Sequence, residues 1–194
     1  MKITPFLERF LKENKKYSII YSKSKYVGIF EDLFEFACEY VSFENKSVVD
    51  CGCGHSCLAK MIDKSKYIGI DISSYQIYKL KRRLPESKFI HCSLVCIPLL
   101  DKSCDISFCC DVLEHIHTED VDDAIKEIIR VSDVSAFKIS TREATYDYKK
   151  EGEDKLHLTV KEPLWWRNKL SLVGEIISEK IKKDNYYCIV KNNR

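Results

Sequence analysis

The chain has 194 residues, of which 45% are apolar, and its 32 lysines and arginines against 30 aspartates and glutamates give a net charge of +2. This length suits one domain with a sizeable core, and the balanced charge excludes a large basic field for nucleic acid while leaving a local basic patch open. No apolar run reaches the roughly 20 residues that cross a bilayer, and residues 1–5 lack the apolar segment of a signal peptide. We therefore expect a cytoplasmic protein with no membrane contact, in which the ten cysteines stay reduced.

The predicted elements begin with a helix that Thr4 can cap and Pro5 can start. A stretch rich in lysine and tyrosine follows over residues 12–25. A second, amphipathic helix then places its apolar side chains on one face and its acids on the other. We assign residues 1–45 to an N-terminal helical cap.

From residue 47, short strands and helices alternate along the chain. Strands are predicted over residues 47–50, 66–71, 88–91, 105–111 and 135–140, and helices over residues 56–63, 73–84 and 118–131. Strands that alternate with helices indicate βαβ units and a parallel sheet, so residues 46–140 form the predicted core.

The rest of the chain closes this core. Residues 141–161 show no clean period and are predicted to be a substrate lid loop. A helix over residues 164–173 is followed by strands over residues 175–181 and 186–191, whose short connection indicates an antiparallel hairpin. We predict a single α/β domain over residues 1–194, with a seven-stranded, mostly parallel sheet, helices on both faces and a C-terminal antiparallel hairpin.

A glycine-rich turn follows the first strand of this core and precedes a helix. Gly52 and Gly54 allow the backbone to turn tightly and to approach a ligand closely, and exposed amides at a helix start can meet polar or anionic groups. Asp71 ends the next strand, 71 − 54 = 17 residues past Gly54. An acid at that point can accept the hydroxyls of a ribose. The order of strand, turn, helix, strand and acid therefore predicts a site for a ribose-containing cofactor.

The same turn also suggests zinc, through Cys51, Cys53, His55 and Cys57. The spacing of these cysteines does not fit the two-pair pattern of zinc sites, and the glycines between them are explained by the turn. We therefore assign no metal ion to this segment or to the main interpretation.

Residues 48–56, Val-Val-Asp-Cys-Gly-Cys-Gly-His-Ser, resemble the first motif of the class I S-adenosylmethionine-dependent methyltransferases, Val-Leu-Asp-x-Gly-Cys-Gly-x-Gly. The resemblance implies a Rossmann-like fold with S-adenosylmethionine as cofactor, held around its methionine part by the turn and at its ribose by Asp71. Cys57 stands where the third glycine of dinucleotide-binding turns belongs, which disfavours NAD. The cofactor-binding residues that the resemblance implies are Asp50, Cys51, Gly52, Cys53, Gly54, Asp71, Ile72, Ser93, Leu94, Asp111 and Val112.

Two later segments extend the resemblance to about residues 47–140. Residues 89–94, followed by Ile97-Pro98, are similar to the segment that contacts adenine, with Ser93 in place of the usual acid. Residues 104–116 are similar to the strand-four motif, which ends beside the transferring methyl group and often continues Val-Leu-Glu-His.

Methyl transfer requires an aligned acceptor and, for a hydroxyl acceptor, removal of a proton. The candidate catalytic residues are Glu114, His115 and His157. His115 fits a base or a metal ligand, although the Glu-His pair also fits a structural role, and His157 in the predicted lid also fits an exposed loop histidine.

Three functions remain open at this point. The main interpretation is O- or N-methylation of a small molecule or a glycan. An acid followed by Glu-His and a later histidine is also similar to the metal-dependent RNA 3′-end 2′-O-methyltransferases, in which a divalent ion holds the terminal ribose hydroxyls. Asp111 replaces the first glutamate of that pattern. The third is a catalytically inactive binding protein on the cofactor fold. The acceptor and the oligomeric state stay undetermined.

Overall fold

The computed structural model describes residues 4–23, 30–144 and 155–193. Seven strands form one sheet in the order β3-β2-β1-β4-β5-β7-β6. The strands are β1 (Val48–Cys51), β2 (Tyr67–Asp71), β3 (Lys88–His91), β4 (Cys104–Cys110), β5 (Ser132–Ser140), β6 (Glu175–Lys182) and β7 (Asn185–Lys191). The first five strands pair in parallel, whereas β7 runs antiparallel to both β5 and β6. The predicted sheet, with its antiparallel C-terminal hairpin, is therefore confirmed.

In the described residues, five α-helices surround this sheet: α1 (Pro5–Lys23), α2 (Glu31–Cys38), α3 (Ser74–Arg83), α4 (Val121–Arg130) and α5 (Pro163–Ser171). Apolar side chains of α4 and α5 pack in one core cluster, and those of α2 and α3 pack in a second. Because the strands contribute alternate side chains to the two clusters, the sheet is covered on both faces. This arrangement confirms the Rossmann-like α/β architecture.

Helix α1 includes residues 12–23, most of the lysine- and tyrosine-rich stretch that the sequence analysis separated from the first helix. Glu13, Lys16 and Ile20 form its buried stripe, at the spacing of successive helical turns. Asn14 and Ser18 fasten the same helix to the start of α3, because the Asn14 side chain accepts from the Ser74 backbone amide and Ser18 bonds Ser73. Polar side chains within residues 12–23 therefore hold α1 against α3.

The helix predicted over residues 56–63 is wrong. Only a single 3₁₀ turn, Leu58–Lys60, forms there. Ser56 has a φ of +58°, which a continuing right-handed helix does not accept. The Asp63 side chain accepts from the Ser65 amide and starts a separate 3₁₀ turn, Lys64–Lys66. The chain thus crosses from β1 to β2 in two short turns.

Smaller corrections concern the ends of elements. The predicted helix over residues 118–131 divides into a 3₁₀ turn, Thr118–Asp120, and α4, and β5 begins three residues before its predicted start. Of the predicted lid, residues 145–154 lie outside the described residues. None of the ten cysteines, all of which lie in the described residues, forms a disulfide bond. Within the described ranges, none of the helices combines the length and apolar character that a membrane span requires.

Candidate functional site

A cavity of about 600 Å³ lies between α1 and the carboxyl ends of the parallel strands. This edge is where open α/β sheets bind their ligands. The sequence-predicted residues that line it are Gly52, Asp71, Ile72, Ser93, Leu94, Asp111, Val112, Glu114, His115 and His157. The structure therefore brings the candidate catalytic residues and most of the candidate cofactor residues to one cavity.

The glycine turn is held against β2 by its own backbone. The amides of Gly52 and Cys53 both donate to the carbonyl oxygen of Ile70, each at 2.8 Å. Gly52 has a φ of +77°, and a Cβ atom there would lie 2.5 Å from a methyl carbon of Val112. Only glycine fits this position without strain, because both the backbone conformation and the space exclude a side chain.

Asp71 presents a buried carboxylate at the end of β2. Its Oδ2 accepts from the Gly54 amide at 3.0 Å and from the Tyr21 hydroxyl at 3.4 Å, and its Oδ1 accepts from the Ser73 amide at 2.8 Å. Burial raises the pKa of Asp71, and these donors oppose that shift. A carboxylate held in this way can accept further hydrogen bonds from the hydroxyls of a bound sugar.

Four residues predicted to bind the cofactor do not line the cavity: Asp50, Cys51, Cys53 and Gly54. The Asp50 carboxylate accepts from the Tyr67 hydroxyl at 2.5 Å, and Tyr67 accepts from Ser56 at 2.7 Å. Burial raises the pKa of Asp50 to about 7. Burial also raises the pKa of the Cys51 and Cys53 thiols. In this structure the side chains of Asp50, Cys51 and Cys53 are therefore buried in the protein interior, next to the turn.

The opposite part of the cavity brings Glu114, His115 and His157 together, with ligand-type atoms all within 4.8 Å of one another. His115 Nδ1 lies 3.0 Å from the carbonyl oxygen of Leu156, and His157 Nδ1 lies 2.7 Å from that of Arg142. A carbonyl oxygen only accepts, so each Nδ1 carries the ring proton and Nε2 of the neutral ring keeps its lone pair. Burial lowers the pKa of His115 to about 3, which keeps its ring neutral.

Glu114 connects this cluster to the segment that carries His157. Its backbone carbonyl accepts from the amides of Leu158 and Thr159, at 2.8 and 3.0 Å. Its side-chain Oε1 accepts from the Ser140 amide at 3.2 Å, whereas its Oε2 is buried with no hydrogen-bond partner among the described residues. Burial raises the pKa of Glu114 well above its ordinary value. Ionisation of this acid at neutral pH therefore requires a nearby cation.

Asp111, at the end of β4, adjoins this cluster, and its charge helps to raise the pKa of Glu114, but its carboxylate pairs with a lysine. Lys138 of β5 approaches Asp111 at 3.1 Å and Asp32 of α2 at 3.3 Å. The Tyr187 hydroxyl donates to Asp32 at 2.6 Å. The sequence analysis missed Lys138, Asp32 and Tyr187, and the detectable signal was a lysine inside an otherwise apolar strand.

Helix α1 forms the roof of the cavity, and its aromatic rings face both ends of it. Tyr21 packs edge-on against His55 beside the glycine turn, and Tyr17 packs edge-on against His115, with centroid separations of 5.5 and 6.0 Å. Near the start of the helix, Arg9 donates to both carboxylate oxygens of Asp120, at 2.7 and 2.6 Å. The roof is thus fastened near both of its ends, a role the sequence analysis did not foresee for these residues.

Part of the chain is similar to a family of known proteins. Residues 49–134 match a family model described as a methyltransferase domain. No curated protein matches the chain by sequence at a significant level. The matched region runs from β1 into β5 and therefore includes the glycine turn, Asp71 and the Glu114-His115 pair.

Solved structures share the fold at low sequence identity. A chain from the complex between the Haloferax volcanii Trm112 methyltransferase activator and a methyltransferase is 12% identical, with a TM-score of 0.70 over 92% of this chain and 98% of that chain. An S-adenosylmethionine-dependent methyltransferase from Thermotoga maritima is 16% identical, with a TM-score of 0.63 over 96% and 98% of the two chains. One from Listeria monocytogenes is 18% identical, with a TM-score of 0.63 over 85% and 98%.

Proposed function

We propose that the chain, whose residues 49–134 match a methyltransferase domain, is a class I S-adenosylmethionine-dependent methyltransferase that uses S-adenosylmethionine to methylate an oxygen or nitrogen atom of a small molecule or a glycan. The observation that carries this proposal is the single cavity, of about 600 Å³, that Asp71 and the Glu114-His115-His157 cluster both line. This volume is typical of small-molecule sites, and α1 forms one wall of it.

The residues of the turn fit the cofactor. We propose that Gly52, Asp71, Ile72 and Leu94 contact it directly, and that Asp50, Cys51, Cys53 and Gly54 act by holding the turn in shape. Asp71 supplies a buried carboxylate acceptor for the ribose, and the missing side chain at Gly52 keeps the backbone open to the ligand. When bound, the cofactor supplies a methyl group that is already activated for displacement.

The protein's own contribution is to position the acceptor. We assign His115 as the residue that accepts a hydrogen bond from a hydroxyl acceptor, because Leu156 fixes the ring proton on Nδ1 and leaves the lone pair of Nε2 available. With a pKa of about 3, this buried ring is a weak base and acts mainly by orienting the hydroxyl. Glu114 and His157 act as positioning residues for that ring. An amine acceptor that is already neutral needs the alignment alone.

A second candidate function is metal-dependent 2′-O-methylation of an RNA ribose. The specific observation in its favour is the Glu114-His115-His157 cluster, since two imidazoles and a carboxylate are accepted ligands of divalent transition metals. The residues fit such an ion, because Glu114 Oε2 is buried and has no hydrogen-bond partner among the described residues. Backbone carbonyls also orient both imidazoles, as is usual for metal-binding histidines. A bound divalent ion would lower the pKa of an acceptor hydroxyl. Asp111 departs from a four-ligand pattern because it faces Lys138.

One experiment separates the two candidates. The purified protein is incubated with labelled S-adenosylmethionine and either a panel of polyhydroxylated small molecules, sugars and amines or an RNA oligonucleotide, each with EDTA or with Mn²⁺, Co²⁺, Zn²⁺ or Mg²⁺. Transfer to a small molecule that persists in EDTA supports the first candidate. Transfer to RNA that requires metal and is lost with a 2′-deoxy terminus supports the second.

Variants make the test independent of the chosen acceptor. Glu114→Gln and His157→Ala should abolish Co²⁺ binding, followed by its visible absorption, if the second candidate is correct. Glu86→Gln changes an exposed acid far from the cavity and serves as the control. Cofactor binding without any transfer in every arm would leave neither candidate standing and would favour a catalytically inactive binding protein.

The remaining assignments accompany this proposal. We propose that residues 1–194 act as one methyltransferase domain and that the protein works in the cytoplasm. Ten cysteines that form no disulfide bond, several of them buried in the core, support a reducing compartment.

A further inference from the structure

The outer face of α3 carries an unusual combination of charge and aromatic surface. The helix contains four cations, Lys79, Lys81, Arg82 and Arg83, and no acid. Two tyrosines on the same helix are also exposed, Tyr75 to 38% and Tyr78 to 62%. The cations and the rings therefore share the surface of one helix.

The cations and the rings are organised with respect to each other. Lys79 Nζ lies 5.2 Å from the ring centroid of Tyr75, and the Arg82 guanidinium carbon lies 5.7 Å from that of Tyr78. Arg82 also donates to the Tyr78 hydroxyl at 3.3 Å. Each ring is therefore paired with a cation on the helix surface.

These cations are not neutralised within the described part of the chain. None of Lys79, Lys81, Arg82 and Arg83 forms an ion pair with an acid there, whereas lysines elsewhere, such as Lys126, do. Acids are concentrated instead at the start of α4, where Glu119, Asp120, Asp122 and Asp123 follow one another closely. The net charge of +2 thus conceals a separation of charge between two parts of the surface.

A groove of about 380 Å³ runs along this face. Tyr78, Lys79 and Arg82 line it, together with Arg83 and His55. Arg83 donates to the backbone carbonyl of His55, the residue that follows Gly54 in the glycine turn. The groove therefore lies between α3 and the end of the glycine turn.

We propose that this face of α3, with Tyr75, Tyr78, Lys79 and Arg82 as its principal contacts, binds single-stranded nucleic acid. The cations match the phosphates, and the exposed rings match unpaired bases, which stack on aromatic side chains without sequence preference. An anion without planar groups would gain nothing from the two rings. The inference goes beyond both candidate functions, because it concerns binding to a second surface and not the methylated atom.

The test measures binding alone, so that it can succeed or fail independently of methyl transfer. Fluorescence anisotropy follows a labelled oligonucleotide of about 15 nucleotides, a length suited to a short single-strand site. RNA and DNA homopolymers are compared at low and at physiological salt, with heparin and anionic vesicles as competitors that carry charge without bases.

Two double variants address the two parts of the surface. Lys79→Glu with Arg82→Glu should weaken binding at least tenfold and reduce the slope of log affinity against log salt by about 1.4, because each phosphate contact on a single strand contributes about 0.7. Tyr75→Ser with Tyr78→Ser should weaken binding about tenfold or more, with little change in that slope. Lys126→Glu with Lys161→Glu reverses two exposed cations elsewhere and should bind normally. Thermal unfolding and S-adenosylhomocysteine binding establish that each variant is folded.

Three results would overturn the proposal. The first is the absence of binding to either nucleic acid at low salt. The second is an equal loss in the control variant, which would mean that total charge alone matters. The third is normal binding by the tyrosine variant together with full competition by heparin, which would mean that the face attracts any polyanion.

Discussion

Lys138 is the side chain whose removal should disturb the site most, because it is a buried cation between two carboxylates. Its Nζ lies 3.3 Å from Asp32 and 3.1 Å from Asp111, and 7% of its side chain is exposed, against 27% and 22% for the acids. Removing one partner of a buried pair costs about 3–5 kcal/mol, because the other charge is left uncompensated. Water reaches both acids in part, so we expect Lys138→Met to lower the free energy of unfolding by about 2–3 kcal/mol.

This loss should depend on pH in a defined direction. Burial raises the pKa of Asp111, and the ammonium group of Lys138 opposes that shift. Without the ammonium group, the folded-state pKa of Asp111 rises further above its unfolded value. The ionised acid then destabilises the fold above that pKa, and the deficit shrinks as the pH falls through it and the acid takes up a proton.

Urea unfolding near pH 5 and near pH 8 measures both effects. Lys126→Met is the matched control, because 53% of the Lys126 side chain is exposed. A second substitution, Asp111→Asn, should restore part of the stability in the Lys138→Met background by removing one of the uncompensated charges. A loss below about 1 kcal/mol, the range of exposed pairs, or a loss equal at both pH values would refute the role assigned to Lys138.

Three further predictions concern the cavity. Asp71→Ala should weaken binding of S-adenosylmethionine and S-adenosylhomocysteine by about 10- to 100-fold in isothermal titration, because hydrogen bonds to a charged acceptor are worth about 1.5–3 kcal/mol. Asp63→Ala is the control, and unchanged affinity of the Asp71 variant would contradict the ribose contact. Gly52→Ala should lower the free energy of unfolding by about 1–2 kcal/mol because of its left-handed backbone, and further because the new methyl group overlaps Val112. Adding Val112→Ala should relieve only the overlap, and urea unfolding measures both losses. Because burial lowers the pKa of His115 to about 3, His115→Gln should reduce the transfer rate by a constant factor between pH 5 and pH 9. A break in the pH profile of that rate near the ordinary histidine pKa of about 6.5, absent from the variant, would contradict a neutral ring.

Local patterns were sufficient to predict the sheet and the meeting of the glycine turn with Asp71 at one edge of it. Each core strand is a short apolar run, and the glycine turn and Asp71 follow two consecutive strands, so their meeting at one edge needs only parallel pairing. The position of Asp50 was less predictable. It precedes the turn directly, but its carboxylate is taken up by Tyr67, a hydroxyl on the neighbouring strand.

Contacts between distant segments explain what the sequence did not reveal. Asp32 and Tyr187 are 155 residues apart, and Tyr21 and Asp71 are 50 residues apart, so no local pattern relates either pair. The helix expected over residues 56–63 failed for a local reason, the left-handed backbone at Ser56. His157 was singled out by residue type, but its place beside His115 depends on the backbone of Glu114, which holds the following residues.

The Tyr21 hydroxyl would compete with a ribose hydroxyl for Oδ2 of Asp71. A ribose that reaches Oδ2 meets an oxygen that already accepts from Gly54 and Tyr21. If the ribose displaces Tyr21, the binding free energy of the ligand contains the gain of the ribose hydrogen bond minus the loss of the Tyr21–Asp71 hydrogen bond. Thermodynamic reciprocity then requires that occupancy of the pocket and the attachment of α1 at this point weaken each other equally. The Arg9–Asp120 pair, at the other end of the helix, can hold the roof in place while that exchange occurs.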